Sequence, residues 1–237
     1  LAKTAGPIAF WIFAACAVFG LVNGLLFAPA EQYQGESARI MYVHVPAAWM
    51  AMGSYSFIAL MSLVAFVWRH SLADVAARSA ALPGAVFTAL ALFTGAVWGK
   101  PTWGAYWVWD ARLGSMLLLL FIYFGYMAVW QAVPEQARAA RFARILALVG
   151  FINIPIIKFS VDWWNSLHQP ASIIRADGPT IDASMLWPLF AMIIAYTALF
   201  TWLVFLGMRA DLARQRIEKR GARSPSHPVR VSAESEA

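Results

Sequence analysis

Residues 98–112 read WGKPTWGAYWVWDAR and lie between two apolar runs, at about 83–98 and 113–132. Four tryptophans and one tyrosine stand in this stretch, which we call the tryptophan segment. Tryptophan gathers at membrane surfaces because its ring is apolar while its N–H needs a polar partner. Four tryptophans in one short segment exceed what anchoring requires. The segment therefore predicts a short loop at a membrane surface, with a flat aromatic face suited to a large planar ligand.

The composition of the 237 residues indicates an integral membrane protein. Hydrophobic residues make up 61% and charged residues only 13%, which leaves too few charges to cover a water-soluble domain. The net charge of +6 could suggest a nucleic-acid partner, but the basic residues cluster in short loops and the tail, so we expect none. With Cys16 as the single cysteine, a disulfide framework and covalent C-x-x-C-H haem attachment are excluded. The chain also lacks the P-loop motif for ATP hydrolysis.

Six apolar runs predict an all-α membrane domain over residues 1–206. Each run is close to the roughly 17–25 residues that a helix needs to cross a bilayer. The predicted spans are 8–28, 46–68, 83–98, 113–132, 145–161 and 184–206. Ala28-Pro29-Ala30 resembles a signal-peptidase site, but the run before it is longer than the core of a signal peptide, about 7–15 residues. We therefore expect this run to remain as the first span.

The distribution of basic residues predicts that both termini are cytoplasmic. Thirteen of the 18 lysines and arginines fall near the N-terminus, in connections on one side or in residues 207–237. We expect 207–237 to be a basic cytoplasmic tail that is helical at first and partly disordered. The connections 29–45, 98–112 and 162–183 would then face outward, so the tryptophan segment is one of three outer connections.

Two of the four histidines share the outer side with the tryptophan segment. His44 stands in YVHVPAAW, where Pro46 suits the first turn of the second span, and His168 stands in DWWNSLHQP after the fifth span. Neutral imidazole is a good iron ligand, and two imidazoles could hold a haem iron from opposite faces. Histidines that only bond lipid headgroups are the alternative. We expect His70 and His227 to be solvated surface groups.

The histidine count limits the number of haem groups. His44 and His70 would be roughly 39 Å apart along a continuous helix, so they cannot share one haem. Only one outer pair exists, and the chain can hold at most one bis-histidine haem. A transmembrane electron-transfer cytochrome would need haems spaced across the bilayer, so the pattern favours handling or delivery of haem.

Outer arginines could pair with haem propionates, because a guanidinium makes two parallel hydrogen bonds to a carboxylate. The candidates are Arg39, Arg112 and Arg175. Binding of lipid headgroups is the alternative for each of them. We expect Asp110 to orient Arg112 or a tryptophan N–H, since one isolated carboxylate is a poor metal site.

The fifth span carries polar residues that are costly in or near hydrocarbon. They are Asn153, Lys158 and Asp162, and Pro155 predicts a kink between them. Because Lys158 and Asp162 are four residues apart on a helix, we favour an ion pair between them over a direct role. The tryptophans at 163–164 fit either an interfacial belt or a wall of the outer pocket.

The motif W-G-x-x-x-W-G-x-Y-W-x-W-D-x-R at 98–112 resembles the signature of the WWD haem-handling family of cytochrome c assembly proteins. With V-H-V-P at 43–46 and S-V-D-W-W-N-S-L-H-Q-P at 160–170, the chain is similar to the C subunits of the system I cytochrome c maturation machinery, the haem exporter protein C family. The resemblance covers about 35–210. The WWD signature fits several branches of that family, whereas the second histidine block and the short chain favour the haem exporter protein C branch.

The resemblance implies a non-covalent haem b at the periplasmic surface of the bacterial inner membrane, with His44 and His168 as axial iron ligands. The loop from Trp98 to Asp110 would cradle the porphyrin, and the outer arginines would bind its propionates. The implied cofactor-binding residues are Trp98, Trp103, Tyr106, Trp107, Trp109, Asp110, Arg112 and Arg39.

The resemblance also implies partners. The chain would present haem to a membrane-anchored haem chaperone, the E subunit, whose histidine becomes bonded to a haem vinyl group. The other partners would be the ATPase A subunit, the membrane B subunit and the small D subunit of an ABC-type complex, within the lipid bilayer.

Positioning of haem is the mechanism we expect, because no side chain stands out as a nucleophile or an acid–base pair. The chain would be a haem-lyase-like transfer subunit rather than a conventional enzyme. Two other functions stay open from the sequence. One is a bis-histidine cytochrome subunit in electron transfer, and the other is a non-haem structural or permease subunit whose tryptophans are only anchors.

Overall fold

A computed structural model describes residues 2–164, 166–169, 172–173, 175 and 177–221. This part of the chain is almost entirely helical and contains no β-strand. The helices are α1 (Ala2–Val22), α2 (Met41–Trp68), α3 (Ser71–Trp103), α4 (Ala111–Ala132), α5 (Gln136–Gly150), α6 (Asn153–Trp163) and α7 (Ala183–Gly221). A π-helical turn (Asn23–Phe27) extends α1, and a 3₁₀ turn (Glu36–Ile40) leads into α2.

Six helical segments are long and apolar enough to cross a membrane, which confirms the predicted all-α class with six spans. α5 and α6 together form the fifth of these segments. Three connections meet at one end of the bundle. The side chain of Gln34 bonds to Trp98 and Gln169, and Ser166 bonds to Asp110. We call this the site end.

The tryptophan segment is only partly a loop. α3 runs to Trp103, well past the predicted 83–98, and it ends where Gly104 adopts a φ of 78° and donates its N–H to the Lys100 carbonyl at 3.1 Å. The first tryptophans of the segment therefore lie on helix. α2 likewise begins at Met41, so His44 is on a helix and Pro46 lies beyond its first turn.

The fifth span is broken, as a proline in a helix leads one to expect. α5 ends at Gly150 and α6 begins at Asn153. Pro155 has no N–H for the Phe151 carbonyl, which accepts from Ile154 at 3.0 Å instead. The side-chain amide of Asn153 donates to the Ser115 carbonyl at 2.8 Å, and this bond holds α6 against α4.

Small residues and tyrosines build the core. α2 packs most extensively on α3, and α1 packs on α7. Close helix approach in a membrane needs small side chains, and the buried alanines include Ala47, Ala51, Ala80, Ala81, Ala143, Ala147 and Ala195. Gly84 lies against the ring of Tyr123, and Gly150 lies against Tyr55, so that a Cβ at either glycine would overlap the tyrosine hydroxyl.

Ion pairs tie the helices together at the opposite end. Arg144 makes two hydrogen bonds to Asp74, at 2.8 and 2.5 Å, and Arg78 lies 3.6 Å from Asp211. These pairs join α3, α5 and α7. The predicted helical start of the tail agrees with α7 reaching 221, whereas the rest of the tail and His227 lie outside the described residues.

Candidate functional site

A cavity of about 380 Å³ lies at the site end, between α2, α3, α4, α6 and the connection after α6. This volume is within the roughly 300–1,000 Å³ typical of ligand pockets. Part of its lining is apolar, with Val45, Ala48, Met52, Leu92, Met116 and Ile157. The rest is aromatic, polar or charged, and the charged residues are Arg112, Lys158 and Asp162. The cavity therefore suits a ligand that is apolar over most of its surface and also carries charged groups.

Six of the predicted site residues line this cavity together. They are His44, Trp98, Trp103, Trp107, Arg112 and His168. The two histidines come from distant parts of the sequence, one from the first turn of α2 and the other from the connection after α6. The three tryptophans lie on the end of α3 and on the loop that follows it.

His44 is held by α3. Its Nδ1 lies 3.1 Å from the hydroxyl oxygen of Thr94, and its ring meets the ring of Trp98 edge to face with 5.6 Å between the centroids. The ring is half-buried. Among the described residues, its other nitrogen, Nε2, makes no hydrogen bond, and this leaves Nε2 available to a ligand.

His168 is held by its own connection and by α4. Its Nδ1 lies 2.9 Å from the Gln169 carbonyl oxygen and 3.1 Å from Nη1 of Arg112. A protonated Nδ1 donates to the carbonyl and leaves Nε2 free for a metal, whereas an unprotonated Nδ1 accepts from Arg112. Burial lowers the pKa of His168, and the Arg112 charge lowers it further, so the neutral imidazole is favoured.

Arg112 and Asp110 brace the His168 connection. Arg112 donates to the Ser160 hydroxyl and to the Lys158 carbonyl, both at 3.2 Å. Asp110 caps α4 by accepting the Leu113 N–H at 2.8 Å, and its second oxygen accepts the Ser166 hydroxyl at 2.6 Å. The carboxylate of Asp110 thus bonds to a loop hydroxyl and a helix N-terminus, rather than to Arg112 or a tryptophan N–H as predicted.

Four predicted cofactor-binding residues do not line the cavity. They are Arg39, Tyr106, Trp109 and Asp110. Arg39 pairs with Glu36 and donates to the Gly24 carbonyl at 2.9 Å. Tyr106 and Trp109 are exposed by 61% and 79%, and the Lys100 ammonium lies over the Tyr106 ring at 5.4 Å. Arg175, the third outer arginine, lies 3.9 Å from Asp177 and is likewise outside the lining.

The predicted ion pair between Lys158 and Asp162 is not formed within 4.0 Å, and both side chains line the cavity instead. The sequence marked them as costly polar residues in a span, but it could not show which way they faced. The tryptophans at 163–164 are exposed and do not line the cavity, which agrees with the interfacial alternative.

Two further residues near the cavity were missed from the sequence. Gln34 accepts the Trp98 N–H at 2.8 Å and approaches Gln169, so it joins the three connections. Thr94 contacts His44 from one turn before Trp98. Neither had a recognisable signal, because single polar residues in a loop or a span are common. The buried N–H of Trp107 has no hydrogen-bond partner in the described part of the chain.

Comparison with known proteins identifies relatives over most of the chain. The family profile described as Heme exporter protein C matches residues 1–223. A protein of that name from Bradyrhizobium diazoefficiens is 52% identical over 210 residues, covering 87% of this chain and 80% of the relative. The Escherichia coli K12 protein is 46% identical over 190 residues, covering 80% and 76%. The Paracoccus denitrificans protein is 40% identical over 219 residues, covering 91% and 90%.

Proposed function

The chain belongs to the haem exporter protein C family, and we propose that it binds haem b in the site-end cavity and presents it to a membrane-anchored haem chaperone. Membership of this family implies a role in haem handling for cytochrome c maturation. The observation that carries the finer proposal is that His44 and His168 line one cavity. In the proposal, the imidazoles of His44 and His168 would hold the haem iron.

The cavity lining supports a porphyrin as the cargo. Haem has an apolar ring with two acidic propionates at one edge, and the porphyrin itself supplies four of the iron ligands. Two imidazoles therefore complete the coordination. In the described part of the chain no cluster of three or more His, Cys, Asp or Glu side chains occurs, whereas haem needs only a pair. The tryptophans at 98, 103 and 107 supply flat apolar walls.

Cationic groups near the histidines support binding of the propionates. Arg112 and Lys158 both line the cavity, and an arginine fork matches a carboxylate. The unpaired Trp107 N–H adds a donor that a carboxylate oxygen would satisfy. Arg39 supports this role less well than predicted, since its guanidinium already pairs with Glu36.

Positioning explains how such a site could assist transfer. Fixing the iron and the propionates would hold the ring in one orientation, with a vinyl edge open to the nucleophilic histidine of the chaperone. Orientation of this kind supplies up to roughly 7–11 kcal/mol in model reactions. In the proposal the chain works with the ATPase A, membrane B and small D subunits of an ABC-type complex.

The proposed location is the bacterial inner membrane with the site end in the periplasm. The chain is a multi-pass membrane protein. Arginines of the opposite end, such as Arg69, Arg138 and Arg141, lie in or near the connections there. The positive-inside rule supports a cytoplasmic position for that end.

The absorption spectrum of the purified chain tests the proposal. We expect a Soret band and the low-spin visible bands of bis-histidine haem. His44→Ala or His168→Ala should abolish the low-spin spectrum, because each removes one axial ligand. His70→Ala is the matched control, since this exposed histidine lies at the opposite end. A chain without a Soret band would favour the structural or permease alternative, and wild-type spectra in both histidine variants would refute the ligand assignment.

A further inference from the structure

We propose that Thr94 is a positioning residue that fixes the tautomer of His44, so that Nε2 is the nitrogen available to haem iron. The inference rests on the proposed function, because it concerns how one of the two axial ligands is prepared. It assigns a role in the haem site to a residue of α3 that does not itself line the cavity.

The hydrogen bonds of Thr94 decide which partner is the donor. Its hydroxyl oxygen lies 2.7 Å from the Leu90 carbonyl one turn earlier, to which it donates. The same oxygen lies 3.1 Å from Nδ1 of His44. A hydroxyl has one proton, and here that proton is committed to the carbonyl. The contact with His44 is therefore a hydrogen bond in which Nδ1–H donates and Thr94 accepts.

The helix around Thr94 forms a seat for the imidazole ring. A Cβ on Gly95 would lie 2.9 Å from Cε1 of His44, so the glycine is what lets the ring approach α3 so closely. Trp98, one turn after Thr94, packs against the ring edge to face at 78°. Among the described residues, this side of α3 thus presents one hydroxyl oxygen and one aromatic ring to His44.

The consequence is a difference between the two axial ligands. A neutral imidazole whose Nδ1–H is bound by an acceptor keeps its lone pair on Nε2, and the acceptor makes that nitrogen a stronger ligand. His44 has this arrangement on a continuous helix. His168 lies on a connection, and Arg112 approaches its Nδ1 as a competing donor. His44 is thus the ligand whose tautomer and ring position are fixed by the fold before haem binds.

Substitution of Thr94 tests the inference. We expect Thr94→Val to weaken haem affinity by about 10-fold, the lower end of the usual effect of such supporting residues. It should also move the reduction potential of bound haem to a more positive value, since the ligand becomes a weaker donor. Thr94→Ser keeps the hydroxyl and should restore both quantities. The measurements are haem titration and spectroelectrochemistry of the purified full-length chain.

Thr88→Val is the matched control. Thr88 lies on the same helix and makes the same bond to the carbonyl four residues earlier, at 2.7 Å, and no hydrogen bond to His44 is found for it among the described residues. We expect wild-type affinity and potential from this variant. An equal loss in Thr88→Val would show that the effect comes from α3 itself and would overturn the inference.

Gly95→Ala provides a second test that leaves Thr94 intact. The added methyl group should displace the imidazole of His44 from α3 and weaken haem affinity. Wild-type affinity would contradict the claim that the close approach of this ring to α3 prepares it for iron. Failure of the inference is distinguishable from failure of the proposed function. If His44→Ala abolishes the low-spin spectrum but Thr94→Val matches the wild type in affinity and potential, only the role of Thr94 is refuted. If the wild-type chain shows no low-spin haem, the proposed function itself fails.

Discussion

Replacement of Asp110 by alanine should weaken haem binding even though Asp110 does not line the cavity. The carboxylate connects α4 to the His168 connection through a chain of hydrogen bonds. Its Oδ2 accepts a hydrogen bond from the Ser166 hydroxyl at 2.6 Å, and the Ser166 hydroxyl oxygen accepts one from the backbone N–H of His168 at 3.1 Å. Its Oδ1 caps α4 through the Leu113 N–H at 2.8 Å. Alanine removes both functions at once.

The two losses have different consequences. An N-cap contributes about 1 kcal/mol to helix stability, so loss of the bond to Leu113 mainly destabilises α4. A hydrogen bond to a charged group contributes about 1.5–3 kcal/mol, so loss of the bond to Ser166 destabilises the connection that carries His168. Because about 1.4 kcal/mol corresponds to a factor of ten, we expect haem affinity to fall by about 10- to 100-fold in Asp110→Ala.

Haem titration of purified variants, followed at the Soret band, measures this effect. Asp182→Ala is the matched control, because Asp182 accepts the Ser184 N–H at 2.8 Å near the start of α7 without any hydrogen bond to His168. We expect wild-type haem affinity from it. The reasoning is refuted if Asp110→Ala binds haem like the wild type, or if Asp182→Ala loses as much affinity as Asp110→Ala.

Three further perturbations test the site and the core. Since the pKa of His168 is lowered from its ordinary 6.5, haem affinity should stay constant from about pH 8 to 6.5 and fall only at lower pH, where a proton competes with iron. A loss of haem affinity that begins above pH 6.5, measured by titration at the Soret band, would contradict this. Gly84→Ala should destabilise the fold by about 1–3 kcal/mol, because the added methyl group overlaps a buried tyrosine, whereas Gly53→Ala adds its methyl group in open space and should not destabilise it. Equal thermal unfolding temperatures of the two variants in detergent would refute this prediction. Arg112→Lys should lower haem affinity by about 10-fold, because lysine lacks the forked donors of arginine, and Arg39→Lys should lower it less. Equal losses of affinity would indicate that Arg39 also binds haem.

The number of spans and the placement of the two histidines at one end could be predicted because both depend on the order of apolar runs along the chain. A span needs a certain length of apolar sequence, and six such runs are present. Alternation of the spans then places His44 and His168 at one end. The cavity that both residues line agrees with this placement. The ligand assignment itself stays a prediction.

The direction in which side chains face could not be predicted, because the hydropathy of a segment indicates the length of a span and not the orientation of its side chains. Lys158 and Asp162 have the spacing of an ion pair, yet they face the cavity rather than each other. Arg39 has the position expected of a propionate ligand, yet Glu36 is its partner. Thr94 carries no signal at all, since its role depends on the packing of α2 against α3.

The division of the tryptophan segment explains why it contains more tryptophans than anchoring requires. Trp98, Trp103 and Trp107 line the cavity, whereas Tyr106 and Trp109 are exposed. The helix ends at Gly104, and after it the neighbouring residues Tyr106 and Trp107 lie on different sides, one exposed and one in the cavity lining. One set forms a wall, and the other suits the membrane interface, where an apolar ring with a polar edge is favoured. A uniformly helical segment would have kept to a period of 3.6 residues. The tryptophans of this short segment thus occupy two environments, the cavity lining and the exposed surface, on either side of a single helix end.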